Sequence, residues 1–293
     1  MGGLVRVAGG ALELPGGAVV RFMRTLRLPE SGTHPLPPGL GAFPLRAAAD
    51  GPDGADGAVD QGPDGGGVLL PVLQREAVWL GFAASAPVAL QVRAGAVCAV
   101  SGRPWSGRLA QDPQNYLVLP RQPWLDGISS GRGTTRQFVA TPPGPGPAAA
   151  AGARLQLQVF ELRAHARARA GAAQDRAGWG AARPGGRSGP VPGVPLAAPA
   201  PGEAVRVDAA ATGLGAGGRM RQEVYPDPRP LDDWRDEPSA RVWVHLVSAA
   251  RWEQVTGRPA PDSPVDRAAY ASAGLPWFAH YDEDAPDRPD PAT

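Results

Sequence analysis

Alternation of apolar and polar residues is the dominant pattern along this chain, and it predicts β-strands. The cleanest case is residues 154–162, in which Leu155, Leu157 and Val159 fall on one side and two glutamines fall on the other. Successive side chains of a strand point to opposite faces, so a period of two is typical of a strand with one buried face.

Shorter runs of the same kind predict further strands, most of them separated by Gly or Pro as the turns of a meander require. They cover residues 18–28, 68–73, 77–82, 88–92, 96–100, 116–119, 136–140, 219–225 and 240–247. The pattern therefore predicts a mainly β protein, a sandwich or an open barrel of roughly eight to twelve short strands.

Two segments near the C-terminal end carry the start and stop signals of helices. Ser248 is a suitable N-cap for a helix that ends before Gly257. A second helix is predicted to begin after Ser263, with Asp266 completing a capping box, and to end at Gly274. The fold prediction therefore includes one or two C-terminal helices.

Residues 163–212 interrupt the strand pattern with a stretch made almost wholly of Ala, Gly, Pro and Arg. Such a composition buries too little apolar surface to offset the entropy lost on ordering, so we predict a disordered insertion or linker. Residues 1–162 are then a β body. Residues 213–293 supply the remaining strands, the C-terminal helices and an acidic tail that complete the same domain, and two domains divided at the insertion are the alternative.

The composition weakens several apparent signals. All 29 basic side chains are Arg, and the chain contains 40 Gly and 35 Pro, which fits drift in a very GC-rich bacterial genome. Against this background the match of residues 213–218 to G-x-G-x-x-G is interpreted as a flexible turn, because no strand–turn–helix context surrounds it. A net charge of +1 gives no global attraction to nucleic acid or anionic membranes.

The sequence offers no membrane segment and no metal or cofactor motif. Residues 1–14 lack the apolar run of a signal peptide, and no stretch of about 18 apolar residues follows. Cys98 is the only cysteine and lies in an apolar, strand-like run, which favours a buried small side chain. We expect a cytoplasmic protein without a cofactor, a metal site or a membrane-spanning segment.

The eight tryptophans are the feature that GC drift explains least. Four of them lie close to Pro or Gly on predicted loops: Trp105, Trp124, Trp234 and Trp277. Loop tryptophans form ligand platforms and interface anchors, and they also close the ends of β-sandwiches. Both uses stay open at this stage.

The leading functional hypothesis is a non-catalytic interaction or ligand-binding protein. Exposed Trp and Arg at loop ends would form its surface, drawn from two segments of the chain. The first segment contributes Arg121, Trp124 and Asp126, and the second contributes Arg219, Arg221 and Glu223. The partner is an unknown protein or small molecule, with a homo-oligomer among the alternatives.

The rival hypothesis is a hydrolase or carbohydrate-active enzyme. Glycoside hydrolysis needs two carboxyl groups roughly 5–10 Å apart, and the candidates are Glu76, Asp126 and Glu223. His280 precedes an acidic run and is a weak candidate for a general base, although a surface histidine is the favoured interpretation.

Weak nucleic-acid binding through the Arg-rich insertion comes third. Clustered Arg such as Arg163, Arg167 and Arg169 neutralises phosphates, but no aromatic residue is interleaved among them. The insertion is basic and the C-terminal tail is acidic, so attraction within one chain or between copies is as open as an external partner.

Six segments carry a resemblance to other proteins: residues 36–44, 74–79, 122–128, 136–140, 218–225 and 273–278. They resemble a family of uncharacterised soluble proteins from high-GC bacteria. The resemblance spans most of the chain but omits residues 47–67 and 163–212. It implies one conserved body around an insertion, and it assigns no catalytic residue because the family has no known activity.

Overall fold

Two β-sheets packed face to face form the described part of the protein. The computed structural model describes residues 4–29, 31–48, 57–59, 67–73, 75–131, 133–139, 153–176 and 215–277. The prediction of a mainly β protein is confirmed, and the described strands form a sandwich rather than a closed barrel.

The large sheet contains ten strands, in the order β4-β16-β14-β8-β3-β2-β1-β6, with β12 paired to β8 and β13 paired to β14. Its strands are β1 (Arg6–Ala8), β2 (Ala11–Leu14), β3 (Ala18–Leu26), β4 (Thr33–His34), β6 (Gly57–Ala58), β8 (Glu76–Ala84), β12 (Trp124–Leu125), β13 (Gly127–Gly131), β14 (Thr134–Val139) and β16 (Gly215–Arg221).

The small sheet contains seven strands, in the order β10-β9-β15-β17-β7-β5, with β11 paired to β9. Its strands are β5 (Arg46–Ala47), β7 (Val68–Pro71), β9 (Val88–Ala94), β10 (Val97–Cys98), β11 (Leu117–Leu119), β15 (Ala153–Glu161) and β17 (Ala240–Val247). β16 and β17, which follow the predicted insertion, lie within sheets whose other strands precede it.

The core lies between the two sheets and follows from the alternation of the strands. Val20 and Phe22 of β3 and Leu155 and Leu157 of β15 are fully buried in one cluster. The other face of β15 is also covered, since Gln158 is only 4 % exposed. β15 is therefore buried on both faces and not only on the face that alternation predicts, and β9 and β17 pair with its two edges.

The first part of the predicted insertion is a helix, so its assignment as disordered is wrong there. Helix α1 (Ala164–Arg176) follows β15 directly. Its Ala166 is buried in a cluster with Trp234 and Phe160, and Arg167 pairs with Glu161 at 3.3 Å. Composition alone predicts that these arginines have no partner in the fold, whereas the structure pairs Arg167 with an acidic residue. Residues 177–212 lie outside the described residues.

Of the two predicted C-terminal helices, the first begins and ends as expected. Helix α2 (Ala249–Thr256) has Ser248 as its N-cap and Gly257 in the left-handed conformation, with φ 66°, at its end. None of the three helices in the described residues is long and apolar enough to cross a membrane.

Helix α3 (Arg267–Ser272) is shorter than predicted, because its N-cap is Asp266 and not Ser263. The Asp266 side chain accepts a hydrogen bond from Ala269 N at 2.7 Å. Ser263 is used elsewhere, since its hydroxyl donates to Glu76. A long-range contact therefore displaces the local capping box.

The interpretation of residues 213–218 as a flexible turn is also wrong where the structure describes them, because Gly215–Arg221 is strand β16. At Gly218 a side chain would collide with the carbonyl oxygen of Pro29 and with Leu28 Cβ. This glycine lets two backbones approach closely.

Candidate functional site

The two segments predicted to form a binding surface lie side by side. Gln122 links them through its side-chain amide. Its Nε2 donates to the carbonyl oxygens of Trp124 and Glu223, each at 3.1 Å, and its Oε1 accepts from Tyr225 N at 3.0 Å. One buried side chain therefore fixes the backbone of both segments.

Gln222 makes the reciprocal link from the second segment to the first. Its Oε1 accepts from Asp126 N at 2.9 Å, and its Nε2 donates to Trp124 O at 3.1 Å. We call Gln122 and Gln222 the glutamine pair. Gln114 continues the same pattern, since it accepts from Asp227 N at 2.8 Å and donates to Tyr225 O at 3.1 Å.

Glutamine suits this role because its amide carries a donor and an acceptor, as a peptide group does. Past the end of β16 the second segment has no strand neighbour on this side, so its backbone groups need other partners. The glutamine pair supplies them and is itself buried, with Gln122 at 3 % and Gln222 at 9 % exposure. The two segments are consequently held as one rigid unit.

Two aromatic side chains project from this unit into solvent. Trp124 is 39 % exposed and Tyr225 is 37 % exposed. Arg121 lies beside them, with its guanidinium carbon 5.8 Å from the centre of the Tyr225 ring and its Nη1 donating to Pro226 O at 2.8 Å. We call Arg121, Trp124 and Tyr225 the aromatic surface. Tyr225 was not among the predicted binding residues, although its alternation with Arg221 and Glu223 was a usable signal.

The charged residues predicted for the second segment also reach solvent. Arg219, Arg221 and Glu223 alternate with the buried Met220 and Gln222, so all three point away from the interior. Arg219 Nε donates to Gly32 O at 3.3 Å, which directs this side chain toward β4. Arg221 and Glu223 precede and follow Gln222 in the chain, and Glu223 lies two residues before Tyr225.

Asp126 is the exception among the predicted binding residues, because its carboxyl group is buried. It is 3 % exposed, and its Oδ1 has no hydrogen-bond partner. Burial raises the pKa of this carboxyl to about 7, and a hydrogen bond from the Trp124 side chain lowers it in part. Asp126 therefore lies beneath the aromatic surface and cannot touch a ligand on it directly.

Glu76, a candidate for catalysis, is fully buried in an ion pair. Its Oε1 lies 2.9 Å from Arg24 Nε, and the two side chains are 0 % and 7 % exposed. Leu73 N donates to its Oε2 at 2.9 Å, and Ser263 donates to Oε1. Burial raises the pKa of Glu76, and the attraction of Arg24 opposes that rise. The carboxyl group accepts hydrogen bonds from Leu73 N and Ser263, and its contact with Arg24 is an ion pair.

The three candidate carboxylates are held by different elements. Glu76 begins β8, whereas Asp126 follows Leu125, the register partner of Leu80. Asp126 continues this antiparallel register opposite Trp79, three residues from Glu76. Each strand residue adds about 3.3 Å, so the two positions are about 10 Å apart along β8. Glu223 is exposed, and His280 lies outside the described residues.

The other loop tryptophans differ in role from Trp124. Trp234 is 1 % exposed and donates through Nε1 to Asp227 at 2.8 Å, beside the ring of Tyr116 at 6.3 Å. Trp277 packs on Tyr270 with ring centres 5.3 Å apart. Trp234 and Trp277 thus pack against other aromatic side chains of the fold, whereas Trp124 is exposed.

An apolar groove of about 510 Å³ is a second feature, and sequence reasoning missed it. The end of β3, the proline-rich loop 35–38 and helix α3 form its walls. The loop is held by Thr25, whose hydroxyl donates to Pro38 O at 2.9 Å. His34 and Ser272 are the polar residues in its lining. The parts of the groove are far apart in sequence, and no local pattern brings them together.

The arginines considered for nucleic-acid binding are paired within the fold. Arg163 lies 2.6 Å from Asp236, Arg167 pairs with Glu161, and Arg169 pairs with Asp233. Intramolecular attraction, one of the alternatives for this basic stretch, thus accounts for the part that the structure describes.

Comparison with known proteins finds no matching family model, no similar curated protein and no similar solved structure. The case for a function is therefore made from the geometry of these residues alone.

Proposed function

We propose that this protein is a non-catalytic binding protein that contacts a protein partner through its aromatic surface. Trp, Tyr and Arg are the residue types most enriched at the energetic centres of protein interfaces. All three are present here as Arg121, Trp124 and Tyr225. The cytoplasmic location and the family relationship expected from the sequence belong to the same proposal.

One observation carries the proposal: the side chain of Gln122 holds the backbone of both exposed aromatic residues. Ordering loops and side chains on binding costs affinity, and a surface that is ordered in advance avoids that cost. Trp124 and Tyr225 are placed by the glutamine pair before any partner arrives. Scattered exposed aromatic residues would carry no such meaning, because single ones are common on protein surfaces.

The charges around the surface favour an acidic partner. In the two segments that carry the aromatic surface, Arg121, Arg219 and Arg221 are exposed, and Glu223 is the one exposed carboxylate. Complementary charge raises the association rate and is screened by salt. We therefore expect the partner to present carboxylates around an apolar centre, and the complex to weaken as salt rises.

Hydrolysis has weaker support than binding. Glu76 is engaged by Arg24 in a buried pair, which is a structural use of a carboxylate. Asp126 is buried beneath the surface and Glu223 is exposed on it. No printed contact joins two of these three carboxyl groups across a cleft, which is the arrangement that this chemistry needs.

The experiment compares variants of the full chain in a two-step assay. Proteins from the source cell are captured on the wild type, on Trp124→Ala and on Tyr225→Ala, and each captured protein is then purified and titrated by calorimetry. Interface centres cost about 2 kcal/mol or more when truncated, so each variant should weaken the purified complex about 30-fold. Leu231→Ala is the matched control, because Leu231 is 36 % exposed but lies outside the aromatic surface.

A complex that survives both aromatic substitutions with unchanged affinity would contradict this proposal. So would a partner lost equally with Leu231→Ala, because that result would indicate general destabilisation. Raising the salt from 50 to 300 mM should weaken the wild-type complex, and a salt-independent affinity would contradict the acidic character of the partner.

A second candidate function is supported by the apolar groove. Its volume of about 510 Å³ falls within the roughly 300–1,000 Å³ of small-molecule sites, and such sites are mainly apolar with a few polar groups. We propose a small, mainly apolar ligand whose polar end meets His34 or Ser272. Dodecanoate and decanol should raise the melting temperature of the wild type by mass action, and Ala273→Phe, which fills the groove, should abolish the rise. An equal rise in both proteins would contradict this candidate.

A further inference from the structure

Four side chains at the outer face of the small sheet form a cluster of alternating cations and rings. The guanidinium carbon of Arg154 lies 4.3 Å from the centre of the Trp243 ring, and that of Arg93 lies 5.6 Å from the same centre. The Arg93 guanidinium carbon is also 5.8 Å from the centre of the Trp105 ring. All four side chains are partly exposed. We call Arg93, Trp105, Arg154 and Trp243 the arginine–tryptophan cluster.

The strand register brings three members of this cluster together. Gln156 of β15 is the register partner of Arg93 in β9 and of Trp243 in β17. Arg154 lies two residues before Gln156 on the same strand, so its side chain points to the same face of the sheet. The residues that alternate with them are buried in the core between the sheets. The cluster therefore faces away from the core.

The two arginines of the cluster have no carboxylate partner in the part of the chain that the structure describes. Arg93 donates from Nε to Gly95 O at 2.7 Å, and Arg154 makes no hydrogen bond or ion pair there. Among the described strands of the small sheet, Glu161 is the one acidic residue, and it pairs with Arg167 at the end of β15. Most of the N–H donors of both guanidiniums are therefore available to a ligand.

The placement of two cations on one ring carries an electrostatic cost. Burial lowers the pKa of Arg93, and the charge of Arg154 lowers it as well. Contact with an indole ring stabilises a single guanidinium, but it does not cancel the repulsion between two of them. An anion bound by both groups would neutralise the two charges and accept charge-assisted hydrogen bonds from each.

We propose that the arginine–tryptophan cluster is a binding site for a small ligand that carries a phosphate group, held by the guanidiniums of Arg93 and Arg154. Two positive charges match a phosphate dianion better than a single carboxylate, and the planar fork of each guanidinium fits phosphate oxygens in pairs. Arg241, two residues from Trp243, already pairs with Glu237 at 3.2 Å. The pattern is therefore compact, whereas a strand of nucleic acid needs a longer positively charged track.

The experiment titrates the full-length wild type with sodium phosphate at pH 8, and separately with sodium chloride at equal ionic strength. Proton–nitrogen correlation spectra report the indole group of Trp243, whose signal is assigned by its absence from Trp243→Phe. Phosphate should move this signal saturably, and chloride should not. Phosphate should also raise the melting temperature above its value in chloride, because a ligand of the native state stabilises it by mass action.

Two arginine variants decide whether the response comes from the cluster. Arg154→Met removes one guanidinium, so it should weaken phosphate binding about tenfold or more, as the loss of hydrogen bonds to a charged group predicts. Arg21→Met is the matched control, because it removes the same charge from an exposed position on β3 of the other sheet. It should leave phosphate binding unchanged. Equal weakening by the two variants, or no weakening by Arg154→Met, would overturn the proposal.

The wild type alone decides the matter if Arg154→Met does not fold. A Trp243 signal that responds to phosphate no more than to chloride would overturn the site without any arginine variant. An oligonucleotide of ten thymidines without a terminal phosphate completes the titrations. A saturable response to it, with none to inorganic phosphate, would overturn the assignment to a small ligand. These outcomes are independent of the capture assay, because the cluster and the aromatic surface share no residue.

Discussion

The buried ion pair between Arg24 and Glu76 allows a quantitative test of how much stability is lost when one buried charge loses its partner. We expect Glu76→Gln to lower the free energy of unfolding by about 3–5 kcal/mol, because it leaves the Arg24 guanidinium buried without its counter-ion. The substitution keeps an oxygen that accepts from Leu73 N, whereas the amide nitrogen replaces the oxygen that accepts from Ser263, so the loss contains the charge and this one hydrogen bond. Arg24→Met should cost a similar amount at neutral pH, since it leaves a carboxylate that is 0 % exposed without its cation.

The pH dependence of the two single variants should differ. Burial already raises the pKa of Glu76, and Arg24 is the largest opposing influence. Without Arg24 the pKa of Glu76 rises further, so the carboxyl takes up a proton more readily and the loss in Arg24→Met shrinks as the pH falls. The loss in Glu76→Gln should not shrink in this way, because the guanidinium stays charged at every accessible pH.

The double variant Arg24→Met/Glu76→Gln removes both charges and should be more stable than either single variant. Apolar replacement of a buried ion pair is often close to neutral, whereas removal of one partner is not. The assay is urea unfolding at pH 7, with the free energy taken from the midpoint and slope. The matched control is Glu13→Gln, which breaks the exposed pair of Arg6 and Glu13 at 2.6 Å and should cost about 0–1 kcal/mol.

The reasoning is refuted if Glu76→Gln costs no more than Glu13→Gln. That result would mean that water reaches the Arg24 guanidinium and that the pair is not desolvated. A double variant less stable than both single variants would also refute it, because the charges would then be stabilising in themselves.

Three further predictions concern other residues. Asp126→Asn should become more stable than the wild type as the pH rises, because the pKa of Asp126 is 3.8 when unfolded and about 7 when folded. The difference in the free energy of unfolding is absent below pH 4 and grows by about 1.4 kcal/mol per pH unit above it. It levels off above pH 7 at about 4 kcal/mol. Equal urea midpoints for the two proteins at pH 8 would contradict this. Gly218→Ala should lower the free energy of unfolding by about 1–3 kcal/mol, because the new Cβ meets Pro29 and Leu28, while Gly39→Ala has room and serves as the control. Trp234→Phe should cost about 1–3 kcal/mol in urea unfolding, since Asp227 loses the indole donor at 2.8 Å; unchanged stability would show that Asp227 is solvated.

Part of the candidate site was predictable from local pattern. Arg121 and Trp124 were chosen because aromatic and basic residues beside Pro and Gly belong on exposed loop ends, and both are exposed. Arg219 and Arg221 follow from alternation along a strand, which the structure contains as β16. Tyr225 was missed because the prediction for this segment rested on its charged residues alone.

The helix α1 shows where composition misleads. Its Ala and Arg content carries little apolar surface, so the segment reads as unable to fold by itself. In the fold, Arg169 pairs with Asp233 and Arg163 pairs with Asp236. Both acidic residues lie more than sixty positions further along the chain. Pairing of that kind has no local signature in the sequence.

The sequence by itself determined the longer strands such as β3, β8, β15 and β17, the first C-terminal helix and the exposure of the candidate arginines, because these depend on side-chain periodicity and on caps within a few residues. It did not indicate several short strands, such as β1, β2, β12 and β13. Only the tertiary structure decided which segments meet. It placed Gln122 against Tyr225, buried Asp126 beneath Trp124, and matched Glu76 with Arg24 and Ser263. Burial and the pairing of charges are properties of neighbours in space, and the neighbours of these residues lie up to 187 positions away in the chain.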